Sequence, residues 1–453
     1  MRPDTPRTLA ALMAALVALP VVTAAPVAAQ EVEPSPEATS AGATIEECVE
    51  PEASLEPVND EPLSIPEDFR IALFDGVWEG IRDYYWDPDT AGLDWEAIGD
   101  EYAPLVIQTD DAYEVYELLR EMVEQLDDPY TGFFAPEDLG DPESFDPTYG
   151  GIGALLDTSA AGEDSEGLRI IYVFDEGSAR EAGIAARDRI VAVEGDSCAR
   201  IAEIRGPEGT DVTLTVVSPG QEPRDITLER RRIDPVIRPE ARRLESDPAV
   251  GYLGVLALSG GETIDAIEQG LTELLRGEPL EGLILDLRQS NQGAPAVTIE
   301  TLRPFVDGQV GEYHSRVGNE PIEIEPSDLA EDYADVPLVV LVDADTEADA
   351  EQLAAILQDQ GRATVVGTPT AGMTHGATLI DFPEGSALQI VTFGFQLPDG
   401  RTLEGEGVTP DVLVEDDWLG YSEAEDPFVL AALGALAADS PEPTLAAETP
   451  PAG

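Results

Sequence analysis

Between residues 66 and 126 apolar side chains recur at helical spacing, at Phe69, Leu73, Val77, Ile81 and Tyr84 and again at Tyr113, Leu118, Met122, Val123 and Leu126. Two amphipathic helices are predicted, with Trp78, Trp86 and Trp95 as core of one small helical domain. Pro129 and Gly132 break that pattern. From 149 to 233 the period shortens to that of strands, clearest at 168–174, 189–193, 212–217 and 225–228. From Pro248 strands and helices alternate: strands at 250–258, 282–287, 338–342, 363–366 and 387–393, and helices at 263–275, 297–305 and 351–360. Such alternation predicts stacked βα units.

The ends carry other patterns. Arg2 and Arg7, an apolar run over 9–22 and the small residues Val27, Ala28 and Ala29 predict a signal peptide over 1–29, and hence export. Residues 30–64, rich in Glu, Pro, Ala and Ser, are expected to be a disordered linker. No later apolar run approaches the roughly 18 residues a membrane helix needs, so no membrane span is expected. The predicted organisation is a helical domain over 65–140, a β-rich domain over 147–233, an α/β core over 234–424, and a mostly disordered tail over 425–453 with one apolar, helix-like patch after Pro427.

Composition narrows the chemistry. The formal net charge is −69, from 93 acidic and 24 basic residues, and every basic residue is arginine. A field of that sign excludes nucleic acid and anionic membrane as natural partners, and suits high ionic strength, where screening relieves self-repulsion. Without lysine, no Ser-Lys dyad, Schiff base or P-loop can be built from this chain. Cys48 and Cys198 could pair in an oxidising compartment. With His314 and His375 they are too scattered for a zinc motif, and neither metal nor cofactor is expected.

Several strings together resemble one family. The Trp followed by Tyr84-Tyr85-Trp86-Asp87, the string Leu126-Asp127-Asp128-Pro129-Tyr130-Thr131, GLILDLR over 282–288, QDQGRATVVG over 358–367 and GEGVTPD over 405–411 are similar to the carboxy-terminal-processing (tail-specific) serine peptidases. The similarity runs from about Pro66 to Val414. It implies a multidomain α+β fold: helical N-terminal domain, PDZ-like β-rich domain, and a peptidase-type α/β core of crotonase-like βα units. In the PDZ-like domain, Gly151, Ile152, Gly153 and Ala154 are the candidate loop for a peptide's terminal carboxylate, since a glycine-rich turn can aim successive N–H groups at an anion. The alternative is that these glycines only permit a tight strand connection. The segment over 195–206 is shorter than the helix that walls the family's peptide groove.

The same resemblance places the catalytic positions. With QDQGRATVVG holding the register, Ala348 stands where the family has its serine nucleophile, Met373 where it has its lysine base, and Ala377 where it has the base's glutamine partner. In the oxyanion-type loop Gln292 replaces the first of two glycines, leaving Gly293. A thioether cannot take a proton from a hydroxyl. The expectation is an exported, catalytically silent member of the family that binds polypeptide C-terminal tails, pairs with an active relative, or self-associates. Two alternatives stand beside it. One is an active endopeptidase with a relocated nucleophile, Thr346, served by His375 and Asp349; the other is a carrier of a small apolar ligand in the emptied cleft. Asp343, Asp345, Glu347, Asp349 and Glu351 alternate in a way that could suggest Ca2+, though helix-start acids explain them equally.

Overall fold

The computed structural model describes residues 64–439 except 137, 140–148, 158–166, 198–199 and 234–235. The predicted signal peptide, nearly all of the linker, Cys48, Cys198 and the last fourteen residues lie outside the described residues. Among the described residues no helix is long and apolar enough to cross a membrane.

The chain is multidomain α+β. It opens with α1 (Glu67–Tyr84), α2 (Trp95–Gln108) and α3 (Ala112–Glu124). Apolar periodicity missed α2; its signal is Asp94, whose carboxylate accepts the Ala97 N–H as an N-cap. The predicted apolar stripe also shifts, because Tyr84 and Tyr113 are exposed while Val115, Tyr116 and Leu119 are buried. Trp78 and Trp95 each donate an indole N–H to the other's carbonyl at 3.0 Å, which satisfies both inside the core.

After β1 (Gly132–Phe134) the chain runs through β2 (Tyr149–Gly150), β3 (Ala154–Asp157), β4 (Leu168–Val173), α4 (Ser178–Glu181), β5 (Arg189–Val193), α5 (Ile201–Ile204), β6 (Gly206–Pro207), β7 (Asp211–Val217) and β8 (Arg224–Glu229). β3, β4, β5, β7 and β8 form an antiparallel sheet around Ile170, Ile190, Leu214 and Leu228.

The remaining elements are β9 (Glu240–Arg243), β10 (Val250–Gly254), α6 (Gly261–Leu274), β11 (Gly282–Asp286), α7 (Pro295–Leu302), β12 (Gly308–Ser315), β13 (Gly318–Ile324), α8 (Ala330–Tyr333), β14 (Leu338–Val342), α9 (Asp349–Asp359), β15 (Thr364–Gly367), β16 (Gly376–Asp381), β17 (Ala387–Gln396), β18 (Val412–Leu413) and α10 (Pro427–Asp439). A six-stranded sheet, ordered β18-β15-β14-β11-β10-β9, is parallel except at β9. Both faces are covered, so β14 is apolar throughout: Leu338, Val340 and Val342 face the core shared with α6, α7 and α9, and Val339 and Leu341 face Phe428, Val429 and Ala432 of α10. The core thus extends past residue 424, where sequence patterning ended it, and the patch after Pro427 is a seated helix. A second sheet, β1-β17-β12-β13 with β16 on β17, receives the helical domain, whose Val77 and Ile81 share a core with Leu388 and Ile390.

Candidate active site

Two segments meet at the carboxyl ends of β14 and β15: the turn over 343–348 and the loop over 368–375. The Ala348 N–H donates to the Met373 carbonyl at 2.8 Å, and the Ala371 N–H to the Thr346 carbonyl at 3.3 Å. The positions that sequence register assigned to nucleophile and base are therefore in direct backbone contact. Neither side chain bears a group that can give or take a proton.

Ala348 holds φ 52° and ψ −122° at the start of α9. Such a conformation costs a residue with a Cβ of order 1–3 kcal/mol and persists only where surrounding contacts impose it. Here they are its own N–H bond to Met373 and the Gln352 N–H bond to its carbonyl at 3.2 Å. Ala348→Gly should accordingly raise stability by about 1 kcal/mol, measured by urea denaturation, since glycine adopts positive φ without the Cβ clash.

Glu351 anchors the loop. Fully buried, it accepts the Gly372 N–H at 2.7 Å, the Met373 N–H at 2.6 Å and the Thr370 hydroxyl. Burial raises its carboxyl above the usual range, against the pull of those donors. Glu404 holds the next stretch of the same loop, accepting the Thr374 and His375 N–H groups at 2.8 and 2.9 Å. Gln352 completes the frame by donating to the Thr374 carbonyl. Sequence reasoning assigned none of these three as loop anchors, because their partners lie about twenty or more residues away and carry no local pattern.

The relocated nucleophile finds no support in this geometry. The Thr346 hydroxyl is fully buried within the turn, 3.0 Å from both the Leu287 carbonyl and the Asp343 N–H. Asp349 accepts from the Thr298 hydroxyl at 3.1 Å, and the His375 ring packs on Trp86 and His314. The three candidates are committed to separate partners. Ser290 also lies near the turn, its carbonyl taking the Glu347 N–H at 2.9 Å, but it is completely buried and so closed to substrate.

The five alternating acids do not gather around a cation either. Asp343 accepts from the Gln289 N–H and the Trp418 indole, Asp345 from the Gln289 side chain, Asp349 from Thr298 and Glu351 from the loop. Among the described residues no cluster of His, Cys, Asp and Glu could hold a metal ion. Glu347 and Asp349 are each pushed up to about 7, chiefly by burial. Tyr130, pushed up to about 12 by burial and by Glu404, Glu351 and Glu347, keeps its proton at neutral pH.

The oxyanion-type loop is closed against α9. A Cβ on Gly293 would stand 2.3 Å from Asp349 Cβ, so only glycine permits the approach, and the Gln292 carbonyl is taken by the Leu258 N–H at 2.8 Å. Ala377 sits on β16, paired with Val391. In the β-rich sheet the Gly151 N–H is spent on the Arg231 carbonyl at 2.9 Å, and a Cβ on Gly153 would stand 2.4 Å from the Gly177 Cα. At Gly153, which also holds φ 79°, glycine serves a tight backbone connection, whereas a Cβ at Gly151 would meet open space. A groove of about 450 Å3 lies away from Ala348 and Met373, lined by Ile65, Phe69, Tyr113 and Tyr116 of the helical domain.

Residues 249–414 match the family model of peptidase family S41, and residues 66–124 match that of the tricorn protease C1 domain. Among curated relatives, the carboxyl-terminal-processing protease of Picosynechococcus sp. is 28% identical over 356 residues, covering 76% of this chain and 83% of that protein. The chloroplastic carboxyl-terminal-processing peptidase 2 of Arabidopsis thaliana is 28% identical over 361 residues, covering 75% and 68%. In fold, the photosystem II D1 C-terminal processing protease superposes with a TM-score of 0.53 at 24% identity, covering 81% of this chain and 97% of that one. An S41 protease from Bacteroides fragilis superposes with a TM-score of 0.57 at 18% identity, covering 80% and 97%.

Proposed function

We propose that this chain is an exported, catalytically silent member of the family that binds polypeptide C-terminal segments, or a partner peptidase, without cleaving. One observation carries the reading. The backbone still brings Ala348 and Met373 together at 2.8 Å, while oxygen nucleophile and titratable base are both missing from the positions so joined. Acyl transfer needs both groups, and the scaffold alone retains only substrate placement.

The test is cleavage and binding of a fluorescent, unstructured peptide tail. Wild type should bind it, read by anisotropy, with hydrolysis no faster than buffer. Ala348→Ser should remain silent because Met373 cannot deprotonate the new hydroxyl, and Ala348→Ser with Met373→Lys should gain measurable hydrolysis. Wild-type cleavage lost in Thr346→Ala or His375→Ala, with labelling of Thr346 by a phosphonate, would instead establish the relocated nucleophile.

A further inference from the structure

The chain's only two histidines meet, although they come from distant segments. His314 lies on β12 and His375 in the loop entering β16, with ring centres 6.1 Å apart and planes at 84°. The Trp86 indole packs on both, at 5.2 Å from His314 and 4.8 Å from His375. Gly394, the cross-strand partner of His314, leaves room for them: a Cβ there would stand 2.3 Å from His314 Nε2 and 3.0 Å from His375 Nε2. The His375 side chain is only 9% exposed, and His314 Nδ1 is buried with no hydrogen-bond partner.

This cluster is also where the connection between α1 and α2 rests on the core. The Trp86 N–H donates to the Val391 carbonyl at 3.0 Å, and Arg316, just beyond His314, donates to the carbonyls of Tyr85 and Pro88 and to the Thr90 hydroxyl. We propose that the His314–Trp86–His375 cluster is a proton-sensitive latch between the helical domain and the core: neutral imidazoles hold Trp86 and the connection over 85–92 in place, and protonation of the pair releases them.

The surrounding charges set the direction. Glu312 on β12 favours a proton on His314, and Asp128, from the segment before β1, favours one on His375. The Glu404 carboxylate lies 3.9 Å from His375 Nδ1, and the Trp86 ring can itself attract a cation. Against these stand burial, the larger effect at both rings, and for His314 the neighbouring His375; both rings are held below the ordinary 6.5. A base with depressed proton affinity in the closed state is protonated first in the open state. The latch is therefore fully engaged above about 6.5 and lost as pH falls through the depressed values. Glu404 holds the N–H groups of both Thr374 and His375, so movement of His375 is passed to the loop bearing Met373.

Two measurements test this, and neither depends on whether the chain cleaves peptides. In wild type, proton NMR should show both imidazoles titrating below 6.5. Hydrogen exchange, corrected for its intrinsic pH dependence, should show protection over 85–92 falling about tenfold or more from pH 7.5 to 5. The His314→Gln/His375→Gln variant, which keeps polar side chains that cannot become charged there, should retain its protection. Imidazoles titrating at or above 6.5 in wild type, or equal loss of protection in the variant, would overturn the latch. Should the variant fold poorly, the wild-type titration decides alone.

Discussion

Replacing Arg288 by methionine is expected to destabilise the core by roughly 3–5 kcal/mol, read as a lowered urea midpoint. Arg288 follows β11, with its side chain 1% exposed, and it pairs with Asp286 at 2.5 Å and Asp426 at 2.9 Å beneath the Trp418 ring. Methionine fills much of the same space and leaves two buried carboxylates short of a counter-charge. Asp426 would keep Arg187 at 2.8 Å, and Asp286 would keep the Tyr252 hydroxyl at 2.8 Å, which holds the loss within that range. Burial by itself raises the Asp286 carboxyl, yet Arg288 brings it below the ordinary range. A depressed carboxylate contributes stability above its unfolded value and loses it as pH falls through the folded one, so the deficit of the variant should narrow below about pH 4. Urea is the suitable denaturant, since guanidinium would also screen a chain of net charge −69. A deficit that is small, or flat with pH, would mean that Arg288 is not the counter-charge.

Asp349→Asn should do the opposite and stabilise the protein by up to ~4 kcal/mol at pH 8, with little effect at pH 4. Asp349 is buried against Gly293 and is pushed up to about 7, mainly by burial, with the Thr298 hydroxyl opposing. Between about 4 and 7 the folded chain holds a proton that the unfolded chain has released. Stability therefore falls as pH rises through that window, and the amide removes the fall. Its oxygen can still accept from Thr298. Glu347 acts in the same sense, but it is half-exposed and solvent screening weakens its share. Thermal unfolding of both proteins at pH 4, 6 and 8 reads the result; an unchanged difference across pH would mean that Asp349 is ionised and satisfied in the fold.

Much of the fold was legible where a pattern is local. The strands at 189–193 and 338–342 coincide with β5 and β14, because alternation or continuous apolarity over five residues already decides a strand. The hairpin of β12 and β13 was not legible. β13 leaves Gly318 to Pro321 and Glu323 exposed and buries only Ile322 and Ile324, so its own alternation is too short to read, and the hairpin is held by the pairing of β12 with β17. α10 was read as a patch in a disordered tail because its helix is apolar nearly all round, and only the sheet face beneath it shows why.

For the site, the family resemblance around QDQGRATVVG is what assigns Ala348 and Met373 to the nucleophile and base positions. The lack of lysine excluded a Ser-Lys dyad independently. Tertiary structure alone decided the rest: that Ala348 keeps a strained backbone, that Glu351 and Glu404 pin the base loop, that Thr346 is locked inside its turn, and that two distant histidines close on one tryptophan. The physical reason is range. Periodicity and motif report what neighbours along the chain require of one another, whereas a buried carboxylate or an imidazole pair acquires its proton affinity and its partners from segments that meet only on folding.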